Sequence, residues 1–315
     1  MVTPVLSRYA TTDPQIESFA AATGVAAAST NLTQTSLTLN STNEVRYLHT
    51  SPEFPMKRLL CAGSGDIYQI CSVFRREEGG RLHNPEFQLL EWYRCGFDHQ
   101  QLMQDVENFI CTCWQALTER PCPAFTSISY YAAVESATGI ERHGLSPSSL
   151  QQFFQEKGID CPLKTSGTEA DSLDIWLDFL MSMVVAPGFD NLPGGPGFVF
   201  LYDYPASQAA LARLLPDSGE TLAARFELFY GSTELANGFH ELADADEQRK
   251  RFEHDLLVRR QAGLEIVPMD EGLLNALASG LPDCAGVAIG LDRLLMTLTA
   301  ADSIEEVMAF PDDRA

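Results

Sequence analysis

Glu227 and Glu234 stand seven residues apart, on either side of Gly231-Ser232. A two-residue turn there sets Phe229 against Glu234 and Glu227 against Ala236. Both carboxylates then share one face as diagonal cross-strand neighbours, about 7–8 Å apart at the backbone. Carboxylates converging in this way repel unless a cation sits between them. Oxygen-only ligands suit Mg²⁺, above all where a nucleoside triphosphate completes the shell. A solvated hairpin face whose glutamates bind nothing fits the same spacing. A second group lies between Ile67 and Arg94, where Phe74-Arg75-Arg76-Glu77 opens a charged loop containing Gly79 and Gly80. A strand resumes after His83-Asn84-Pro85, and alternation puts Phe87, Leu89, Glu91 and Tyr93 on one side. That side offers an aromatic plate, a carboxylate and a phenol in a row. Third, Gly290-Leu291-Asp292-Arg293 reads as a strand end followed by a helix start. Gly290 admits a ligand to the backbone, while the helix N-terminus and Arg293 favour phosphate. An ordinary junction with a surface ion pair reads the same. No P-loop, GxGxxG or GxSxG is present, so a nucleotide enzyme here needs separated arginines and a carboxylate-bound metal.

Positioning these residues requires strands at Val45–His49, 67–74, 86–93 and Phe198–Tyr204, and a hairpin over 225–239. Glu53–Cys61 is expected to be a helix with Lys57 and Arg58 on its exposed side. Apolar residues at 102, 103, 106, 109, 110, 113, 114 and 117 make a helical stripe over 101–117. Ser146-Pro147 opens a helix through Phe154. Further helices are expected over 168–185, ended by Pro187-Gly188, over 244–262 and over 271–278. Runs of strand followed by runs of helix argue an α+β fold. The mainly helical stretch 120–190 reads as an insertion on a sheet-based core within one domain, 1–315.

The formal net charge of −22 makes the average surface repel phosphate backbones, which disfavours duplex or long-RNA binding. Solubility and adaptation to a salty environment explain the charge equally well. The longest apolar run, Phe179–Pro187, is too short for a membrane span. The N-terminus shows no secretory pattern, so a cytoplasmic location is expected. Eight cysteines without paired CxxC spacing are expected to be free thiols.

Together these pieces resemble the class II aminoacyl-tRNA synthetases. Phe74-Arg75-Arg76-Glu77 through His83-Asn84-Pro85-Glu86-Phe87 is similar to the second signature of that class, and Gly290-Leu291-Asp292-Arg293 to the third. Glu91-x-Tyr93 and Glu234-Leu-Ala-Asn-Gly-Phe-His-Glu241-Leu are similar to the lysyl-specific branch. The chain has no room for that branch's anticodon-binding domain. Its SPEFPMKRLL, FVFLYDYPASQAAL and PDCAGVAIGLDRL resemble the stand-alone paralogues that join (R)-β-lysine to elongation factor P. Ala288, where lysyl-tRNA synthetases carry glycine, points the same way.

The resemblance implies an antiparallel sheet flanked by helices, with ATP and Mg²⁺ as cofactors. It implies formation of an acyl-adenylate, then transfer to a lysine of elongation factor P, with no stable tRNA binding. Lysine activation for another acceptor and a non-catalytic regulator are the alternatives. By match, Arg75 holds the α-phosphate and Arg293 the γ-phosphate. ATP also meets Arg76, Glu77, Asn84, Phe87, Glu234, Leu235 and Gly290. Glu227 and Glu234 hold the metal. Ser51, Pro52 and Glu53 bind the amino end of the substrate; Glu91, Tyr93 and Glu241 bind its far ammonium, and Ala288 shapes the wall. Two departures follow. Arg76 replaces the usual asparagine, and Glu241 has the wrong strand parity, so a bulge near Asn237-Gly238 must turn it inward. Val2-Thr3-Pro4 resembles the end of the first signature, whose preceding helix builds the homodimer of the class; the chain as given starts after that helix.

Overall fold

A computed structural model describes residues 3–23, 44–76, 79–161, 169–193, 195–216, 221–312 and 314. Strands β1 (Leu6–Ser7) and β2 (Ala20–Thr23) flank β3 (Glu44–Leu48) in a small antiparallel sheet. Helix α1 (Glu53–Cys61) leads to β4 (Ile67–Phe74) and β5 (Glu86–Cys95), an antiparallel pair. Helix α2 (His99–Leu117) follows, closed at its start by reciprocal bonds between Asp98 and Gln101. Next come β6 (Phe125–Ser129), α3 (Tyr130–Thr138), α4 (Pro147–Lys157) and α5 (Glu169–Leu180). α5 does not stop at its expected end. It passes through a π-helical turn, Met181–Val185, without a break into the short α6 (Ala186–Gly188), which contains Pro187.

The remaining elements are β7 (Phe198–Pro205), β8 (Leu214–Pro216), β9 (Thr221–Tyr230) and β10 (Thr233–His240), then α7 (Ala245–Ala262), α8 (Glu271–Ser279), β11 (Cys284–Gly290) and α9 (Leu291–Thr299). An eight-stranded sheet runs β4-β5-β11-β10-β9-β7-β6, with β8 beside β9. Only β6 and β7 pair in parallel within it, so the sheet is antiparallel-dominated, as the α+β reading required.

The two faces of this sheet explain where a site can open. On one face Leu90, Trp92, Phe226, Leu228, Val287 and Ile289 pack with Leu102, Val106, Ile110 and Trp114 of α2 and Leu294 and Leu298 of α9. The α2 stripe ends at Trp114, for Leu117 is exposed. The other face is covered at its two ends. Helices α3 to α5 pack on Val199, Leu201, Ala223 and Phe229, while α1 and α8 pack around Tyr93 through Met56, Leu60, Leu273 and Leu277. The strip between carries polar side chains.

All eight cysteines are free, but only Cys284 is fully buried; the other seven are half-buried. No helix among the described residues is long and apolar enough to cross a membrane.

Candidate active site

Residues paired across neighbouring strands lie on the same face of a sheet. One row across the open strip is Gln69, Glu91, Ala288, Asn237 and Glu227. The next is Ile67, Tyr93, Gly286, Phe239 and Arg225. The register therefore gathers Glu91, Tyr93, Ala288 and Glu227 from three strands onto one floor. It also brings in Asn237, whose role the sequence did not suggest. The Asn237 Oδ1 is buried with no hydrogen-bond partner among the described residues.

The β9–β10 hairpin differs from its expected register in one respect. Glu234 faces Phe229, as the two-residue turn requires, but Glu227 faces Asn237 and not Ala236. The extra residue is Leu235, so the bulge lies between Glu234 and Ala236, not at Asn237-Gly238. Leu235 and Ala236 both turn into the core beneath the sheet. Leu235 thus offers only its backbone to the site. Beyond the bulge, odd positions inherit the face of Glu234, which turns Glu241 inward.

Helix α1 supplies the far wall. Lys57 is not on its exposed side: it is 1% exposed, with Nζ 2.6 Å from Glu53 Oε1 and 2.6 Å from Glu241 Oε2. Glu91 is 2% exposed and accepts from the Tyr93 hydroxyl at 2.7 Å and from Ser51 Oγ at 2.8 Å. Ser51 Oγ in turn accepts the Glu53 N–H at 2.9 Å. Pro52, buried, caps α1 and gives its carbonyl to the first helical bond, from the Met56 N–H. A continuous polar chain thus runs Tyr93–Glu91–Ser51–Glu53–Lys57–Glu241. A signal for Lys57 existed: with Glu53 and Leu60 it falls on one helical stripe.

The arginines lie toward the opposite end of the floor. Arg75 Nε donates to the Thr50 carbonyl at 3.3 Å, and its guanidinium lies 5.1 Å over the Phe87 ring. Arg293 donates to the carbonyls of Leu82 (3.1 Å) and Glu234 (3.0 Å), and lies 3.9 Å from Glu234 Oε2. Gly290 ends β11 opposite Leu89, and Asp292 fixes the helix start by accepting the Gln88 N–H at 2.7 Å. Asn84 makes two local bonds: its amide nitrogen donates to the Glu86 carbonyl and its oxygen accepts the Asp312 N–H. Arg76 is exposed, and its N–H donates to the Glu17 carbonyl, tying the second-signature loop to the N-terminal segment. Glu77 lies outside the described residues.

Residues 7–314 match the family model of the class II tRNA synthetases (D, K and N). The chain belongs to that family. It is 45% identical over 271 residues to an elongation factor P–(R)-β-lysine ligase of Photobacterium profundum, covering 85% of this chain and 79% of that one. A protein of the same name from Pseudoalteromonas translucida is 46% identical over 270 residues, covering 85% and 78%. One from Salmonella gallinarum is 43% identical over 269 residues, again covering 85% and 78%.

The electrostatics of this class II synthetase site follow from packing carboxylates where water is scarce. Burial, and next the charge of Glu53, push the Glu91 carboxyl up to about 8. Burial likewise raises Glu241 to about 8, against the opposing pull of Lys57. Glu234 keeps 42% of its side chain accessible, yet burial of its surroundings and the charge of Glu227 raise it to about 7. Glu227 itself pairs with Arg225 at 2.6 Å. Among the described residues no cluster of three or more His, Cys, Asp or Glu is placed to hold a metal. Two carboxylates on one face nevertheless suit a hard cation that takes its remaining oxygens from phosphate and water.

A carboxyl raised in the folded state holds a proton that the unfolded chain releases near 4.5, so stability falls as pH rises through the folded value. The ligand-free protein is therefore expected to lose thermal stability between about pH 5 and pH 8, with a shallower fall when a cationic amino acid fills the pocket. Calorimetric unfolding midpoints with and without ligand check this.

Gly286 leaves the room that Tyr93 and Glu241 occupy, since a Cβ there runs into the Tyr93 ring and Glu241 Oε1. Gly286→Ala is expected to raise the amino-acid KM about tenfold or more by displacing both groups, at an overpacking cost of about 1–3 kcal/mol. Steady-state pyrophosphate exchange measures it.

Proposed function

We propose that this chain activates (R)-β-lysine with ATP and transfers it to a lysine side chain of elongation factor P. The half-buried Glu53 and the buried Glu91 and Glu241, beside two phosphate-facing arginines, carry the substrate class: only a cationic amino acid matches that pocket. The names of its relatives support the acceptor and the β-amino acid. In the first step a carboxylate oxygen of β-lysine attacks the α-phosphorus of ATP, the bond from that phosphorus to the bridging oxygen breaks, and pyrophosphate leaves. Arg75 and Arg293 stabilise the phosphoryl charge as it develops. Phe87, beneath Arg75, presents a face for adenine. Glu227 and Glu234 would hold Mg²⁺, which would supply positive charge against the phosphates. Glu91, Tyr93 and Glu241 bind the distal ammonium, with Ser51 and Glu53 at the β-amino group. Ala288, between Glu91 and Asn237, narrows the floor by one methyl.

In the second step the acceptor ε-amine attacks the acyl carbonyl, the mixed-anhydride bond breaks, AMP leaves and the amine loses a proton. Adenylation asks the protein for positioning more than for proton transfer. A cytoplasmic location belongs to the same reading. Incubation with ATP and labelled β-lysine is expected to label elongation factor P and leave tRNA unlabelled. Label on tRNA, or on neither, overturns the proposal, and the latter with no ATP affinity points to a non-catalytic regulator.

A further inference from the structure

We propose that Lys57 is a positioning and specificity-determining residue: a fixed internal counter-ion that holds Glu53 and Glu241 on the two walls of the pocket and sets its demand at two ammonium groups. The inference rests on the amino-acid pocket proposed above and deepens it. Lys57 Nζ is 2.6 Å from each of two carboxylates carried by different elements, α1 and the end of β10. It is the ion pair that joins those walls. The titratable groups facing it are Glu53 and Cys61 from α1, Glu91 from β5, Glu241 beyond β10 and Cys284 from β11; α8 contributes leucines to the same packing. Burial alone would lower the Lys57 ammonium, but Glu241 and Glu53 outweigh it and hold it above the ordinary lysine value, so it stays charged.

Three carboxylates against this one ammonium leave a formal charge of −2. Buried charge of that size is costly unless it is paired. With no ligand, protons meet the demand, since Glu91 and Glu241 both titrate near 8. A ligand with two ammonium groups supplies the two charges and displaces the protons. A ligand with one leaves a carboxyl protonated and its own tail unpaired. Without Lys57 the same walls would demand a third positive charge, and their carboxyls would hold protons to higher pH.

Two measurements test this. Calorimetric titration of β-lysine into the wild-type protein holding a non-hydrolysable ATP analogue, in buffers of different ionisation enthalpy at pH 7, is expected to show release of one to two protons. No release overturns the charge count. In pyrophosphate exchange at pH 7, Lys57→Met is expected to raise the β-lysine KM at least about tenfold with kcat within about threefold. The gap should narrow as pH rises to 9, and Lys57→Arg should keep the wild-type pH profile. A KM within twofold of wild type, or a rise equal at every pH, overturns the role of Lys57. The proton count needs no variant and decides the matter if Lys57→Met fails to fold. Wild-type exchange with β-lysine is the control: its absence removes the proposed function, whereas its presence beside an unaltered variant removes only this inference.

Discussion

Replacing Arg293 with alanine is expected to lower kcat for amino-acid-dependent pyrophosphate exchange by about 100- to 1000-fold, the usual effect of removing one preorganised donor from a charged transition state. The geometry says why the loss should fall on kcat. The Arg293 guanidinium spans the carbonyls of Leu82 and Glu234, so it is already fixed between the second-signature loop and β10 with no nucleotide bound. Its orientation is therefore settled in advance, and in the proposed reaction its charge is aimed where phosphoryl charge develops. Alanine removes that charge and leaves both carbonyls without their donor. Lysine restores charge but not the fork, so Arg293→Lys is expected to recover only part of the rate. The polar chain from Tyr93 to Glu241 does not include Arg293, so the amino-acid KM should stay within about threefold of wild type. Single-turnover adenylate formation with saturating β-lysine measures the effect. An equal loss in kcat and in amino-acid affinity would show that Arg293 shapes the whole pocket rather than clamping phosphate.

Much of the sheet was legible because the β-branched and aromatic runs at 67–74 and 198–204 read as strands, and alternation over 86–93 sorts the faces of the strand between them. The catalytic floor was legible only in part. Glu91 and Tyr93 followed from parity alone. Glu234 followed from turn geometry, but the position of the bulge did not: one added residue at Leu235 re-phases everything to Glu241, and no local residue type announces it. The short parallel strand β6 and the π-helical turn at Met181–Val185 were also beyond local pattern, since both depend on what packs against them. Lys57 was misplaced for a physical reason. An i,i+4 Glu–Lys pair on a helix usually lies at the surface, and nothing in the nine residues of α1 reveals a second carboxylate waiting just past β10.

Glu241→Gln is expected to separate the two costs that a buried carboxylate carries. Glu241 is 1% exposed and paired with Lys57, and it titrates near 8 in the ligand-free protein. Near pH 4 the side chain is neutral in the folded protein and largely so in the unfolded chain, so glutamine imitates it and the unfolding midpoint should hardly change. Between about pH 5 and pH 8 the unfolded wild-type chain gives up that proton while the folded carboxyl, raised by burial and the charge of Glu53, keeps it, whereas glutamine has no proton to lose. The variant should become the more stable protein there, because the raised folded-state value makes the wild-type contribution one that is lost with rising pH. Catalysis should move the other way. The distal ammonium loses its charged partner in a dry pocket, a change that typically costs about 2–5 kcal/mol. That corresponds to a fall of about 100-fold in kcat/KM for β-lysine, carried mainly by KM. Pyrophosphate exchange at pH 7 and calorimetry across pH 4 to 9 on the same two proteins test both halves. A KM within threefold of wild type would remove Glu241 from the distal site, and equal midpoints at pH 9 would mean that its carboxyl is not raised. Both changes together would show a side chain kept for the ligand at the expense of the empty fold, which is how a site that waits for a cation should behave.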